Sequence, residues 1–391
     1  MRAEVIRKVK EGSLKTPCYL YDLEVLRRNL AVVNQEKPSN AKVYYAVKAN
    51  YNLPILKEMV SAGLGADCVS GYEIKQAVEA GFNPKSIVFA GVGKTDEEIL
   101  YAIQIGIGCF NVESFEELEV INELATSEQK VVDVAIRINP NVNAKTHAHI
   151  TTGIEENKFG VSYKQFKNNL DLIKSYPNID LVGLHFHIGS QILDLDVYEE
   201  LCTVVNDIVN ELNEKGINLK LVNLGGGLGV DYEKEFSSNA ERFEAYFQIF
   251  KERIHFSDES IQLQFELGRS LVANMGWLLS KVTYVKKGDS KDFVVLDAGM
   301  TELIRPALYQ AYHPIENITC GDDEEKVYDV VGPICESSDC FGKSVQLPVT
   351  KRGDLVLIHQ VGAYGEAMSS RYNLRPQAMS LFLNQKAAAD I

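Results

Sequence analysis

The stretch Val43-Tyr44-Tyr45-Ala46-Val47-Lys48-Ala49-Asn50 begins as an apolar run of β-favouring residues and ends with a lysine, an alanine and an asparagine. Its composition predicts a strand, with Lys48 just past the strand's end. At a sheet edge or a barrel mouth the amine of such a lysine can be partly desolvated, and a neutral amine can attack a carbonyl to form a Schiff base. The alternative is a solvated lysine that caps the strand. The rest of the chain decides between these two interpretations.

The composition limits the classes of protein to which the chain can belong. It has 391 residues, of which 46% are hydrophobic, and a formal net charge of −14. This length predicts two domains rather than one core, and the acidic balance argues against a nucleic-acid surface. No apolar run approaches the roughly 20 residues of a membrane helix, and the N-terminus lacks the apolar core of a signal peptide. We therefore expect a soluble cytoplasmic protein.

The seven cysteines are scattered along the chain, which predicts free thiols rather than disulfides. Only Cys335 and Cys340 are close in sequence, and their spacing does not match a common zinc site. We therefore expect no metal.

Outward from the opening stretch, strand-like and helix-like segments alternate. The apolar runs lie at about 43–48, 66–70, 86–90, 109–113, 132–139, 181–188, 219–225 and 261–267. Several of the helical segments between them end in glycine, as helices often do. These eight runs predict an α/β fold, a (β/α)8 barrel over residues 22–275. A doubly wound open sheet is the competing fold, but it usually has fewer strands per domain.

The alternation stops after Arg269, and the rest of the chain is rich in strand signals. Further apolar runs lie at 281–285, 293–296, 327–331, 344–349 and 354–358. We expect a second, mostly β domain made of residues 276–391 together with residues 1–21, which precede the first barrel element.

A barrel places its chemistry where its strands end. At seven of the eight predicted ends the polar residues are Lys48, Asp67, Ser70, Lys94, Asn111, Glu113, Arg137, Asn139, His185, His187, Ser190, Gln191, Glu266 and Arg269. The seventh strand instead runs into Gly225-Gly226-Gly227-Leu228-Gly229. Glycines let several backbone N–H groups turn toward one anion, and the loops after strands seven and eight are the usual phosphate site of a barrel. The alternative is a tight turn; the spacing is not that of a P-loop.

Three of the strand-end side chains suit an aromatic cofactor. The imidazole of His187 could lie flat over a ring, and the hydroxyl of Ser190 could reach a phosphate, whereas for His185 we expect a core histidine satisfied by a backbone carbonyl. A buried carboxylate at Glu266 needs a partner: a pyridinium N–H would serve, and a salt bridge with Arg269 is the alternative. An amine, a phosphate cradle, an imidazole and a carboxylate for a ring nitrogen are what pyridoxal 5'-phosphate requires.

Four segments carry a family resemblance: Tyr45-Ala46-Val47-Lys48-Ala49-Asn50, His187-Ile188-Gly189-Ser190-Gln191, Gly225-Gly226-Gly227-Leu228-Gly229 and Glu266-Leu267-Gly268-Arg269. The chain resembles the fold-type III, pyridoxal phosphate-dependent amino-acid decarboxylases. Within that family it is most similar to the members that act on meso-diaminopimelate. That closer resemblance rests on Asn139-Pro140, Thr152-Gly153, Lys158-Phe159-Gly160, Leu303 to Tyr309, Gly332 to Asp339, Gly362-Ala363-Tyr364 and Tyr372-Asn373.

The resemblance implies a barrel plus a β domain, and a homodimer whose active sites are shared between subunits. It also implies a carboxy-lyase that removes CO2 from the D-configured carbon of meso-2,6-diaminopimelate and gives L-lysine, the last step of lysine biosynthesis. The substrate is a small amino acid; neither nucleic acid nor membrane is an expected partner.

The resemblance also implies a role for each matching residue. Lys48 would bind the cofactor covalently, His187 would stack on its ring, and Glu266 would pair with the ring nitrogen. Cys335 of the partner subunit would be the proton donor. The remaining residues would hold the phosphate (Gly227, Gly229, Ser190 and Tyr364), the substrate carboxylates (Arg269, Arg305 and Tyr309, with Tyr364 nearby) and the distal amino group (Glu336).

The sequence departs from the family pattern in two places. Leu267 stands where the family more often has proline, and the tail after Arg375 has no assigned role.

Three alternative functions are disfavoured by particular residues. A related decarboxylase acting on ornithine, arginine or carboxynorspermidine is disfavoured by the segment 305–309, which suits a distal carboxylate. A racemase is disfavoured by Glu266, since that chemistry suits an unprotonated ring nitrogen. A non-catalytic homologue would be expected to lose Lys48 or Cys335.

Overall fold

The computed structural model describes residues 2–142, 158–233, 239–319 and 324–384. The Thr152-Gly153 motif and Cys320 lie outside the described residues. The chain divides into two compact units. The first, called here the barrel unit, comprises Arg27–Val230 and Ser238–Leu271; the second, called the β unit, comprises Met1–Leu26, Asp231–Ser237 and Val272–Ile391.

The strands of the described residues are β1 (Cys18–Asp22), β2 (Ala41–Ala46), β3 (Gly65–Cys68), β4 (Ile87–Phe89), β5 (Cys109–Val112), β6 (Val132–Asn139), β7 (Val161–Ser162), β8 (Ile179–His185), β9 (Leu221–Gly226), β10 (Gln262–Leu267), β11 (Gly276–Lys287), β12 (Asp292–Leu296), β13 (Ile315–Asn317), β14 (Glu325–Val331), β15 (Cys340–Pro348), β16 (Leu355–Ile358) and β17 (Met379–Leu383). The helices are α1 (Arg2–Lys10), α2 (Leu23–Glu36), α3 (Leu53–Ser61), α4 (Gly71–Ala80), α5 (Asp96–Ile105), α6 (Phe115–Ser127), α7 (Tyr163–Asn168), α8 (Leu170–Ser175), α9 (Asp196–Glu214), α10 (Ala240–Arg253), α11 (Arg269–Val272) and α12 (Arg305–Tyr309). Short 3₁₀ turns follow several of these elements, and one of them, Val47–Ala49, follows β2.

The barrel unit contains a closed parallel sheet. Its strands run in the order β5-β4-β3-β2-β10-β9-β8-β6, and pairing of β5 with β6 closes the ring. The two-residue strand β7 adds to β6 outside the ring. The structure therefore confirms the predicted eight-stranded barrel, and closure excludes the open doubly wound sheet.

Local sequence signals fix where the barrel helices begin and end. The side chain of Ser114 accepts a hydrogen bond from the backbone N–H three residues on, and Thr95 does the same within a reciprocal capping box with Glu98. Gly81 ends α4 in the left-handed conformation, with φ at 102°, where a side chain would be strained. The predicted glycine caps are thus present.

Apolar side chains fill the interior of the barrel. One cluster takes one buried residue from each of five strands: Tyr44, Val88, Cys109, Ala135 and Val182. Such layers make a barrel a packed core rather than a pore. The polar side chains described below therefore gather at the carboxyl ends of the strands.

The β unit is built mainly of antiparallel strands. The strand β11 pairs with β1, β12 and β16, and β14 pairs with β12 and β15. Alternate residues of these strands form an apolar core that includes Leu20, Trp277, Leu279 and Leu357. The strand β1, which precedes the barrel helices and strands, pairs with β11 of this unit in antiparallel orientation. In the segment after Arg375, which had no assigned role, residues Met379–Leu383 form β17 and pair with β1 in parallel.

Among the helices that the structure describes, none is at once long enough and apolar enough to cross a bilayer.

Candidate active site

Lys48 lies in the 3₁₀ turn directly after β2, at the carboxyl end of that strand. Neighbouring side chains lock the turn: the hydroxyl of Tyr45 donates to the carbonyl of Asn50 at 2.8 Å, and the Asn50 side chain accepts from the backbone of Asn52 at 3.1 Å. The lysine side chain is 42% exposed, and its Nζ lies 3.8 Å from Oδ2 of Asp67. The amine thus lies near the strand ends, beside Asp67 of the neighbouring strand β3.

Asp67 is a buried carboxylate with an altered proton affinity. Burial, together with the charge of Glu266, raises its pKa to about 8, although the charge of Lys48 acts in the opposite direction. Its Oδ1 has no hydrogen-bond partner among the described residues. Asp67 can therefore exchange a proton near neutral pH beside the lysine amine.

Three side chains contact the carboxylate of Glu266, near the end of β10. Its Oε1 accepts hydrogen bonds from the side-chain amides of Asn111 at 2.9 Å and Asn223 at 2.7 Å. Its Oε2 lies 3.2 Å from Nε2 of His185. Burial alone would raise the pKa of Glu266, but the charge and hydrogen bond of His185, with the charge of Lys48, hold that pKa well below its usual range. Glu266 is therefore an ionised carboxylate in a buried site.

This arrangement corrects one expectation. The sequence predicted that a backbone carbonyl would satisfy His185, whereas its Nε2 faces the Glu266 carboxylate and its Nδ1 has no partner among the described residues. The imidazole belongs to the strand-end cluster and is not an isolated core residue.

His187 follows β8 and is half-buried. Its Nδ1 accepts a hydrogen bond from the backbone N–H of Gly226 at 3.3 Å. Burial, with the charges of Arg137 and Lys48, lowers the pKa of His187 well below the usual value. A neutral imidazole, fixed by one ring nitrogen to the glycine segment, can lie against an aromatic ring without adding charge.

The glycine segment after β9 needs its glycines because it packs closely on other backbone. A Cβ at Gly226 would lie 1.8 Å from the carbonyl oxygen of Glu266, and one at Gly227 would lie 2.5 Å from that of Gly189. Gly227 also has φ at +96°, which side chains rarely adopt. These contacts bring the loops after β8 and β9 together.

The amides of this segment are not equivalent. The N–H of Gly229 donates to the carbonyl of Ile192 at 2.9 Å, and the carbonyl of Gly227 accepts from Ile192. The N–H of Gly227 has no partner among the described residues. The Gly227 amide is therefore available to an anion, whereas a phosphate bond to the Gly229 amide would require that amide to leave Ile192.

Arg269 begins α11 directly after the eighth barrel strand. Its Nη2 donates to Oγ of Ser190 at 3.2 Å. The sequence predicted a substrate carboxylate for Arg269 and a phosphate for Ser190. The two side chains contact each other, so both lie at one edge of the same site.

A second buried ion pair supports the site. Nη1 of Arg137 lies 3.0 Å from Oε1 of Glu113, and Nη2 donates to the carbonyl of His187 at 3.5 Å. Oε2 of Glu113 accepts from the backbone of Gly160 at 3.0 Å. Burial raises the pKa of Glu113, but the charge and hydrogen bond of Arg137, with the charges of His185 and Lys94, together outweigh burial and leave that pKa lowered. The pair therefore ties the backbone beside His187 to two further loops.

The predicted site residues fall into the two units. The barrel unit brings together Lys48, His187, Ser190, Gly227, Gly229, Glu266 and Arg269. The others, Arg305, Tyr309, Cys335, Glu336 and Tyr364, belong to the β unit.

Within the β unit, buried Arg305 is fixed by two aromatic groups. Its Nη1 lies 2.7 Å from Nε2 of His313, and its guanidinium stacks 4.7 Å from the ring centroid of Tyr232. Cys335 is exposed. Among the described residues, no cluster of three or more His, Cys, Asp or Glu side chains is arranged to hold a metal ion.

Sequence reasoning assigned no role to five polar residues of the barrel site. Four of them, Asp67, Asn111, Glu113 and Arg137, did carry a signal, because they stand at predicted strand ends. Asn223 lies within an apolar strand and is fully buried, and its only signal was a polar residue in that run.

The sequence of the chain is similar to those of known proteins. Residues 23–273 match the family model of the pyridoxal-dependent decarboxylases, specifically the pyridoxal binding domain. A diaminopimelate decarboxylase of Bacteroides thetaiotaomicron is 52% identical over 94% of this chain and 95% of its own length. One from Helicobacter pylori is 44% identical over 94% of this chain and 90% of its own length.

Several solved structures are similar to this chain in fold. The crystal structure of diaminopimelate decarboxylase from Helicobacter pylori complexed with L-lysine has a TM-score of 0.91 and 41% identity, covering 97% of this chain and 94% of that one. The enzyme of the same name from M. jannaschii, also with L-lysine, has a TM-score of 0.86 and 38% identity, covering 95% and 88%. A lysine/ornithine decarboxylase from Vibrio vulnificus, at 22% identity and a TM-score of 0.83, shares the fold.

Proposed function

This chain belongs to the pyridoxal-dependent decarboxylase family, and from that premise we propose that it converts meso-2,6-diaminopimelate to L-lysine and CO2. It is a carboxy-lyase that depends on pyridoxal 5'-phosphate, and its reaction is the last step of lysine biosynthesis. The observation that carries the proposal is the buried, ionised carboxylate of Glu266, held by Asn111, Asn223 and His185 at the same strand ends as Lys48. A buried carboxylate with that support suits a protonated ring nitrogen.

The residues of the barrel unit fit the cofactor. Lys48 supplies an amine, and the neutral imidazole of His187 supplies a flat surface for the ring. The Gly227 amide is available to a phosphate oxygen, in a segment where a Cβ would collide with backbone. Ser190 and Gly229 complete the proposed phosphate site, with Tyr364 from the β unit.

Bound pyridoxal phosphate supplies an electron-withdrawing ring that stabilises the negative charge left when the carboxylate departs. Glu266 would face the ring nitrogen, where an ionised carboxylate favours the protonated ring and so strengthens that withdrawal. Lys48 would hold the cofactor through its amine. Asp67 lies 3.8 Å from the Lys48 amine and takes up or releases a proton near neutral pH. Each of these tasks needs a group in a defined protonation state.

Substrate recognition is assigned to arginines and to one acidic residue. The distal end of meso-diaminopimelate carries both a carboxylate and an amine. Arg269, Arg305 and Tyr309 bind the substrate carboxylates, since the planar guanidinium matches that anion. Glu336 binds the distal ammonium. The buried and stacked guanidinium of Arg305 supports this role, because a fixed arginine loses little freedom when it binds.

Cys335 is assigned as the proton donor, delivered by the second subunit of a homodimer. Its exposed thiol supports the assignment, since a donor that acts in another subunit must be accessible. In this proposal residues 22–275 form the cofactor domain, while residues 1–21 and 276–391 contribute to the active site and to the dimer interface. The six cysteines of the described residues are all free thiols, which suits the cytoplasm.

The proposal is tested by measuring CO2 release from meso-diaminopimelate by the purified, cofactor-loaded protein. LL-diaminopimelate, L-ornithine, L-arginine and carboxynorspermidine serve as competing substrates. We expect turnover of meso-diaminopimelate with a kcat/KM at least 100-fold above that of the others, because binding groups left unpaired cost that much. A higher value for any competitor would overturn the substrate assignment.

A cofactor control accompanies the substrate panel. Lys48→Ala should lose both turnover and the visible absorbance of the cofactor-loaded protein. Lys57→Ala changes an exposed lysine on α3 and should lose neither. A Lys48 variant that keeps absorbance and turnover would remove the covalent role of this residue.

A further inference from the structure

Two assigned site residues of the β unit, the proton donor Cys335 and the substrate-binding Glu336, lie on one turn. This turn, residues 332–339, connects β14 to β15. Its base is fixed by the buried side chain of Asp339, whose two oxygens accept from the backbone of Ile334 and of Met300, each at 2.7 Å. Its tip is exposed, so the tip needs a separate support to hold one shape.

That support comes from two adjacent residues far along the chain. The side-chain oxygen of Asn373 accepts a hydrogen bond from the backbone N–H of Cys335 at 3.1 Å. The hydroxyl of Tyr372 donates to Oε1 of Glu336 at 2.6 Å. The adjacent residues Tyr372 and Asn373 thus bind the adjacent residues Glu336 and Cys335. The Tyr372-Asn373 motif contributed to the family resemblance, but neither residue was given a task in the site.

The segment that carries this pair is itself constrained. Asn373 and Leu374 both have positive φ, 55° and 54°, although neither is glycine. The Leu374 side chain is 93% exposed, so no burial of that side chain offsets the strained conformation. The backbone of Ser370 donates to Thr301 at 2.9 Å, and the side chain of Arg375 donates to the carbonyl of Asp297 at 3.1 Å. Strain that persists between two anchors usually serves the geometry of a site.

The hydrogen bond from Tyr372 also makes the two oxygens of the Glu336 carboxylate inequivalent. Oε1 faces Tyr372, while Oε2 has no hydrogen-bond partner among the described residues. The hydrogen bond to Glu336 raises the pKa of Tyr372, so this hydroxyl stays a donor at neutral and moderately alkaline pH. One oxygen is thus occupied, and the other is left for a cation.

We propose that Tyr372 and Asn373 are positioning residues that shape the Cys335-Glu336 turn before substrate binds. Asn373 sets the backbone of the residue that carries the thiol. Tyr372 orients Glu336 so that its second oxygen meets the distal ammonium of the substrate, which makes Tyr372 a determinant of specificity. The inference rests on the proposed function, because that function gives Cys335 and Glu336 their tasks.

The first test is Tyr372→Phe, which removes one hydroxyl from an exposed ring. We expect KM for meso-diaminopimelate and the inhibition constant for L-lysine each to rise about 10-fold, the usual effect of losing a hydrogen bond to a charged group, with kcat within about 2-fold. Inhibition by D-2-aminopimelate, which has the distal carboxylate but no distal amine, should stay unchanged. A merely structural role would weaken both inhibitors alike.

Control variants separate the loss of the Tyr372–Glu336 hydrogen bond from other effects of a tyrosine-to-phenylalanine substitution. Tyr284→Phe removes a hydroxyl from another exposed tyrosine of the β unit and should change nothing. In a Glu336→Gln background, Tyr372→Phe should add little, because its partner is already altered. At the neighbouring position, Asn373→Gly keeps the left-handed backbone but loses the acceptor, and should lower kcat about 10-fold with little change in KM. Asn373→Asp keeps the acceptor and should restore kcat.

The outcomes distinguish this inference from the function beneath it. If the wild-type protein releases no CO2 from meso-diaminopimelate, the proposed function fails. If the wild type is active but Tyr372→Phe leaves both constants for amine-bearing ligands unchanged, or weakens D-2-aminopimelate equally, Tyr372 has no positioning role. Equal kcat for Asn373→Gly and the wild type would remove the role of Asn373.

Discussion

His185 and Glu266 face each other near the carboxyl ends of their strands, with Nε2 of the histidine 3.2 Å from Oε2 of the glutamate. They stand on β8 and β10, which are separated by β9. Asn223 on β9 binds the other oxygen of the same carboxylate. Three neighbouring strands thus hold one negative charge.

We expect His185→Leu to make activity more sensitive to acid. The histidine helps to hold the pKa of Glu266 below its usual range, so its removal lets Glu266 take a proton at higher pH. As pH falls, the variant should therefore lose kcat earlier, with the acid limb of the kcat–pH profile shifted upward by about one unit. His255→Leu, at an exposed histidine, is the control. An unshifted acid limb would contradict this account.

Asp67→Asn should change how stability depends on pH. Folding raises the pKa of Asp67 from 3.8 to about 8, so its contribution to stability is fully present below the unfolded value and is lost as pH rises through about 8. Urea unfolding of the cofactor-free chain should thus find the variant more stable than the wild type at pH 9, by roughly 2–4 kcal/mol, and closer to it at pH 5. Asp289→Asn, at an exposed position, should track the wild type. The same stability difference at both pH values would show that Asp67 is ionised in the native state throughout.

Gly227→Ala should weaken cofactor binding by at least about 10-fold, because its Cβ would lie 2.5 Å from the carbonyl oxygen of Gly189 and the loop must shift. Gly216→Ala is the matched control, since Gly216 also has positive φ, +73°, but a Cβ there meets nothing within 4 Å. That control should lose stability of about 1 kcal/mol and keep its cofactor affinity. Titration of both apoproteins with pyridoxal phosphate measures the difference, and equal affinities would show that the contact at Gly227 has no effect.

Cys335→Ala should lower kcat by about 100-fold or more, the usual contribution of a positioned proton donor. Cys340→Ala, five residues on, should leave kcat unchanged. If active sites are shared between subunits, mixing inactive Cys335→Ala and Lys48→Ala chains should restore activity, up to about one quarter of the wild-type value, because one of two sites per hybrid dimer is intact. Mixtures that stay inactive, although hybrids form, would place both residues of a site in one chain.

The sequence predicted the barrel well because its signals are local. Each apolar run of the barrel corresponds to one observed strand, and Lys48 stands directly after β2, as predicted. The hydrogen-bond partners of Glu266 could not be predicted in this way. Asn111, Asn223 and His185 are far apart in sequence and meet only when the ring closes, so no local sequence spacing predicts their contact with Glu266. The strand β17 was missed for a similar reason, since its partner β1 lies near the opposite terminus.

The pairing of β1 with β11 and β17 has a consequence during protein synthesis. The first strand leaves the ribosome long before either neighbour exists: β11 begins at Gly276, and β17 ends at Leu383, near the C-terminus. The barrel strands are all translated in the interval, so the barrel can close while β1 still waits for its partners. A truncated chain that stops before β17 would leave one side of β1 uncovered, and such exposed strand edges promote aggregation. Completion of this part of the sheet therefore requires that residues 379–383 have been translated.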